Sequence, residues 1–197
     1  FLESKVKLTL KMLIRENQLE QRISENTSFI NLLIYGSNEG LVRQSLKRVK
    51  KILKDKVDFD EVSIEGKNID EDPTIFEQHV NTVSLFSTHK LIQLSGIKEK
   101  NLKNISEVFE KKIENVFIII TSDILTKSSK IRTYYERNDN CLVLACYDDD
   151  ARTIIQNTEN FIRENKILMN SDVKKYLIQV LSNNRLISNC ELEKLRL

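Results

Sequence analysis

The chain has 197 residues, 40% hydrophobic and 30% charged, with a formal net charge of +2. That length can bury the core of one substantial domain, or of one plus a small second one, and the near-balance of charge gives no overall drive toward nucleic acid. No apolar run approaches the ~20 residues of a membrane helix, the start has no signal-peptide layout, and the 3 cysteines, odd in number and without metal-ligand spacing, point to a reducing cytoplasm rather than a disulfide framework.

Residues 1–29 place no clear element. INLLIYG, residues 30–36, is a short apolar run ending in Gly, as expected of a buried strand in a parallel sheet. The next stretch puts Val42, Leu46, Val49 and Leu53 on one helical face, with Lys and Arg opposite. DEVSIEG (60–66) reads as a weaker strand. EDP (71–73) opens a helix, with Asp72 as its cap and Pro73 in the first turn, and turns Phe76, Val80 and Val83 inward. KLIQLSG (90–96) is another strand, and a helix with Leu102, Ile105 and Phe109 inward follows it. NVFIIITSD (115–123) is the clearest buried strand; a short helix starts at Ser128, and CLVLACY (141–147) is the fifth strand.

Strands alternating with helices predict right-handed crossovers and a parallel sheet covered on both faces. From Asp148 to Leu197 only helical periodicity remains, in three helices broken at Asn170 and at Asn183–Asn184. The expected organisation is an α/β domain over 1–147 and a helical domain over 148–197. The last residues, ELEKLRL, stop in mid-helix, which predicts a chain that continues.

The stretch after the first strand has the layout of a phosphate loop. A working loop needs Gly-x-x-x-x-Gly-Lys-Ser/Thr, so that backbone N–H groups face the phosphates while Lys and a hydroxyl serve the outer phosphates and magnesium. Here Gly36, Ser37, Asn38, Glu39 and Gly40 are one residue short between the glycines, and Leu41 and Val42 stand where Lys and Ser/Thr belong. Glu39 also adds negative charge where phosphate would sit. An acidic pair ending a strand, needed to hold magnesium and position water, is missing too: KLIQLSG has no carboxylate and NVFIIITSD ends in a lone Asp123. No bound nucleotide, cofactor or metal is expected, and no catalytic residue.

The remaining chemistry-bearing residues have structural readings. His79 falls near an inward stripe and His89 in a solvated loop, with no triad arrangement around either. Asp148, Asp149 and Asp150 open a helix and read as cap and dipole complement rather than as a metal loop, which would space its ligands. Cys141 and Cys146 read as core. Arg43, Lys47, Arg48, Lys50, Lys51, Lys54 and Lys56 crowd one helix, either as a solvated face or as a contact to a phosphate backbone. In NTVSLFSTHK (81–90), Leu85 and Phe86 are bracketed by small polar residues; they are either loop packing or an exposed anchor for a partner's pocket.

Several segments, in order, resemble the delta subunit of the bacterial DNA polymerase III clamp loader: LLIYGSNEGLVRQ, NTVSLFSTHKLIQL, TSDILTKSSKIRTYYE with Leu125, Ser129, Ile131 and Arg132, CLVLACYDDD and RLISNCELEKLRL. The resemblance covers about residues 30–197. It implies an AAA+-like module, a five-stranded parallel sheet with flanking helices followed by a helical lid, which does not bind ATP. It implies that Leu85 and Phe86, with Val83, Ser84 and Ser87 beside them, enter a hydrophobic pocket of the sliding clamp (the beta subunit) and open it. It implies other loader subunits (gamma/tau and delta prime) as partners, primed DNA as an indirect one, and an accessory role to a DNA-directed DNA polymerase. The collar domain of that family is expected to be absent from this chain. An active P-loop NTPase and a DNA-binding module using the basic helix over 43–56, with Arg43, Lys47, Lys50, Lys51 and Lys54, are the competing readings.

Overall fold

The computed structural model describes residues 13–25, 29–82, 87–111 and 113–196. Among them are six strands: β1 Leu13–Ile14, β2 Phe29–Tyr35, β3 Phe59–Glu65, β4 His89–Ser95, β5 Val116–Ser122 and β6 Cys141–Ala145. They form one sheet in the order β1-β6-β2-β5-β4-β3, and every neighbouring pair is parallel. The expected five strands are therefore joined by a sixth. β1 is only two residues long, too short to carry the alternation or apolar run by which a strand is read.

The depth of each strand explains its sequence. β5 lies between β2 and β4, and Val116 to Ile120 are all buried, so its run is continuously apolar. β3 lies at one edge of the sheet; Glu61, Ser63 and Glu65 are exposed while Phe59 and Ile64 are buried, which is why DEVSIEG gives only a weak signal.

The chain divides into two compact units. The first runs to Gly36 and resumes from Ser45 to Ala145. With the sheet it holds helices α1 Leu19–Ser24, the later turns of α2 (Glu39–Lys54), α3 Gly66–Glu71, α4 Ile75–Asn81, α5 Leu102–Phe109 and α6 Lys130–Arg137. Its core joins Ile92, Leu94, Ile118 and Ile120 of the sheet to Phe76, Ile105, Val108, Ile131 and Tyr135 of the helices. Phe109 meets Phe76 edge-on at 6.1 Å and Tyr135 at 6.3 Å. One polar chain crosses this core: the Tyr135 hydroxyl donates to Asn31 Oδ1 at 2.6 Å, and Asn31 Nδ2 donates to Cys141 Sγ at 3.3 Å. Burial holds the Tyr135 hydroxyl well above its ordinary pKa and pushes the Cys141 thiol up to about 12.

Three local expectations change. His89 is half-buried at the start of β4, its ring stacked on Phe117 at 5.3 Å, rather than in a solvated loop. Asp72 does not cap a helix; its Oδ1 accepts from the backbone N–H and hydroxyl of Thr74, shaping the turn before α4. The helix expected from Ser128 begins at Lys130, with the Ser129 side chain as its cap.

The second unit consists of Ser37–Gln44 and the chain from Cys146 onward. It contains the first turns of α2 with α7 Ala151–Glu164, α8 Ser171–Val180 and α9 Arg185–Glu193. Asp150, Asn170 and Asn184 cap these last three helices through bonds to Thr153 N at 2.7 Å, Val173 N at 2.8 Å and Leu186 N at 2.9 Å. Ile154, Leu181 and Leu192 form the core, with Phe161, Leu177 and Ile178 packed on it.

Candidate functional site

The glycine-bounded loop follows β2. Gly36 ends the strand at φ 155°, a conformation that favours glycine, and its N–H donates to Ser122 O at 3.3 Å. Within the second unit, Asn38 is fully buried and uses both ends of its amide. Its Oδ1 accepts from Leu41 N and from Arg185 N, each at 3.1 Å. Its Nδ2 donates to Asn183 O at 3.3 Å and to Tyr147 O at 3.5 Å. The Asn38 N–H donates to Cys146 O at 3.1 Å, and Val42 N to Asn38 O at 3.0 Å. Asn38 thus caps α2 from inside the fold, and the loop amides at 38, 41 and 42 bond to protein oxygens.

The start of α9 lies directly against the loop. A Cβ at Gly40 would sit 2.1 Å from the backbone N of Leu186, so only glycine permits the approach. Arg185 grips Asp149 in a two-pronged ion pair, Nη2 to Oδ1 at 2.6 Å and Nε to Oδ2 at 2.9 Å, and both side chains are buried. Arg185 Nη1 also donates to Gln44 Oε1 at 3.3 Å. The three-acid run therefore splits in role: Asp150 caps α7, Asp149 neutralises a buried arginine, and Asp148 accepts from the Ser37 hydroxyl at 3.4 Å. Among the described residues no group of three or more His, Cys, Asp or Glu could hold a metal ion.

Val83, Ser84, Leu85 and Phe86 lie outside the described residues; their flanks do not. Phe76 buries the base of α4 at 1% exposure. At its other end Thr82 bonds back to Gln78 O through its N–H at 3.0 Å and its hydroxyl at 2.6 Å. Lys90, on β4 and 7% exposed, donates from Nζ to His79 O at 2.7 Å and to Thr82 O. Burial lowers its pKa, opposed by the charge of Asp60 on β3. On the far side the Ser87 hydroxyl donates to Asp60 Oδ1 at 2.8 Å, and Thr88 Oγ1 and His89 N both donate to Asp58 O, at 3.3 and 3.2 Å. Residues 83–86 thus lie in the chain between two anchored ends, the end of α4 and the start of β4.

The basic residues of α2 do not act alike. Lys50 bonds to Glu61 and, at 2.9 Å, to Gln93 Oε1 across the sheet. Arg43 pairs with Glu39 at 3.7 Å and Arg48 with Glu20 at 3.7 Å. Lys47, Lys51 and Lys54 are exposed. In the segment after β5, Ile131 is 2% exposed, and Arg132 lies 5.4 Å from the Tyr35 ring centre while donating to Glu136 at 2.7 Å and to Leu125 O at 3.3 Å. These residues buttress the carboxyl end of β2. Sequence reasoning passed over Lys90, Asp60 and Arg185; the one available signal was a lysine opening an apolar strand run.

A parallel sheet with a glycine-bounded loop after an inner strand, and a helical unit after the last strand, defines an AAA+-like module. Solved structures share the fold. The DNA clamp loader delta protein of Bacillus subtilis superposes with a TM-score of 0.55 at 11% identity, covering 90% of this chain and 55% of that one. The replication initiator DnaA of Aquifex aeolicus, bound to AMPPCP, gives 0.52 at 18% identity, covering 91% and 60%. The chain spans about half the length of that clamp loader protein. Residues 32–147, more than half of the chain, match the family described as DNA polymerase III, delta subunit, and the chain belongs to that family. No curated protein matches it by sequence.

Proposed function

We propose that this chain is the clamp-gripping part of a DNA polymerase III clamp loader, a replication accessory protein without catalysis of its own. The observation that carries the reading is the family match over residues 32–147, which includes the Leu85–Phe86 segment. Leu85 and Phe86, with Val83, Ser84 and Ser87 beside them, enter a hydrophobic pocket of the sliding clamp and open it. Two large apolar side chains filling a desolvated pocket are each worth about 2 kcal/mol or more. The anchored ends at Thr82 and Ser87 suit such a role, because a grip needs apolar groups on a base that does not yield.

The α/β domain over 1–147 carries the grip and the helical lid over 148–197 completes the module. The loop at Gly36–Gly40 serves structure rather than nucleotide. Its amides at 38, 41 and 42 are engaged and the backbone of Leu186 stands against Gly40, both of which support that reading. The energy for loading then comes from neighbouring gamma/tau subunits, with delta prime completing the assembly in the cytoplasm and primed DNA engaged by the whole. Lys47, Lys51 and Lys54 are exposed, as a contact to a DNA backbone requires. The test is binding of the chain to purified sliding clamp without nucleotide, compared with L85A/F86A. Clamp affinity untouched by the double substitution refutes the reading.

A further inference from the structure

We infer that the cleft beside α6 is a second docking site, independent of the proposed grip, which takes an acidic and partly apolar segment of a partner protein in extended form. The cleft holds about 850 Å³ and lies wholly within the first unit. One stripe of α6 forms its length: Lys130, Thr133, Tyr134 and Arg137, at the i, i+3, i+4, i+7 spacing of a single helical face. Leu102, at the start of α5, and the turn at 138–140 complete it. Lys130 and Arg137 are exposed, and neither takes part in an ion pair among the described residues. Seven residues at a 1.5 Å rise set them about 10 Å apart along the helix axis.

The helix itself explains only one of these cations. Arg137 sits in the last turn of α6, where the dipole favours positive charge; Lys130 sits in the first turn, where the dipole opposes it. The carboxylate nearest in the chain fold, Glu99, accepts from the Lys130 backbone N–H at 2.9 Å and so serves the helix start, not the ammonium. Between the cations the half-buried Tyr134 ring rests on Phe109 at 6.3 Å and Tyr135 at 5.9 Å, a firm apolar floor. Its hydroxyl accepts from Asn138 Nδ2 at 3.2 Å, while its own proton has no acceptor among the described residues. The cleft thus offers a positive charge at each end, with an apolar floor and one unused O–H donor between. Three residues of extended chain, at ~3.3–3.6 Å each, span the same distance. Carboxylates at positions i and i+3 then reach Lys130 and Arg137, and an apolar side chain between them settles on Tyr134 and Leu102. Single-stranded nucleic acid suits the cleft less well. A phosphate at every step puts charge over the apolar floor, and the Asp139 carboxylate in the lining repels it, whereas a peptide meets Asp139 with a backbone N–H.

The experiment titrates the full 197-residue chain into a fluorescein-labelled peptide with an aspartate–leucine–leucine–aspartate core, followed by fluorescence anisotropy at low ionic strength. A peptide with both aspartates changed to asparagine and a short thymidine oligonucleotide are the comparison probes, and thermal melting is recorded for each variant. We expect saturable binding of the acidic peptide, weakened about tenfold or more by K130A/R137A and as much by the asparagine change, weakened by a smaller factor in Y134F, and weakened again as salt is raised. Both cations are exposed, so K130A/R137A should melt as the wild type does. L85A/F86A should bind the peptide like the wild type, which separates this site from the grip. No saturable binding of the acidic peptide, or an affinity unchanged in K130A/R137A, overturns the inference. So does an oligonucleotide that binds more tightly than the peptide and is lost in K130A/R137A, because the cleft then belongs to nucleic acid.

Discussion

Removing the Asp149 carboxylate tests the seal over the degenerate loop. Asp149 and Arg185 are joined by two short contacts, 2.6 and 2.9 Å, with side chains only 6% and 4% exposed. D149A removes both carboxylate contacts from the guanidinium, while the contact to Gln44 Oε1 at 3.3 Å stays. Breaking one side of a buried pair costs about 3–5 kcal/mol, against ~5–15 kcal/mol for a whole domain. With a urea slope of ~1–3 kcal/mol/M, the transition of the helical unit should move down by roughly 2 M. Replacing both partners by apolar groups, D149L with R185M, should recover most of the loss, because no charge is then left buried. The assay is urea unfolding followed by far-ultraviolet circular dichroism, with amide exchange at Arg185 and Leu41 reporting on the Asn38 contacts. A loss below about 1 kcal/mol for D149A, or no recovery in the double variant, would show that the pair is solvated and that the reasoning is wrong.

Two further expectations are cheaper to check. G40A should destabilise the chain by about 1–3 kcal/mol in the same urea assay, since its Cβ would fall 2.1 Å from the Leu186 backbone N, which cannot swing away as a side-chain tip can. Thiol titration of the native chain near pH 8 should modify Cys190 readily and leave Cys141 untouched, because Cys190 is exposed while Cys141 is buried with its pKa raised to about 12; fast reaction of Cys141 would contradict the closed core around Asn31 and Tyr135.

How far the sequence foretells this depends on how local each signal is. β2, β5 and β6 are inner strands, and their apolar runs, interrupted in β2 by Asn31, announce them. Asn170 and Asn184 stand where the helical pattern restarts, and each proves to be a cap. Long-range pairings leave no such trace. Asp149 and Asp150 are adjacent and chemically identical, yet one closes a buried ion pair with a residue 36 positions away and the other caps its own helix. Asn38 looks like a polar loop residue and is fully buried, because its partners come from the far end of the chain. Lys90 reads as the charged margin of a strand, and only the fold brings His79 O, Thr82 O and Asp60 around it. α3, Gly66–Glu71, has no apolar stripe long enough to read.

The most direct measurement is the affinity of this chain for purified sliding clamp, by surface plasmon resonance without nucleotide, for the wild type and for L85A/F86A. The account predicts saturable binding by the wild type and loss of at least ~100-fold in the double variant, with its thermal melting unchanged, since two hot-spot side chains leave the interface together. Equal affinity of the two proteins, or no binding by the wild type, would contradict it.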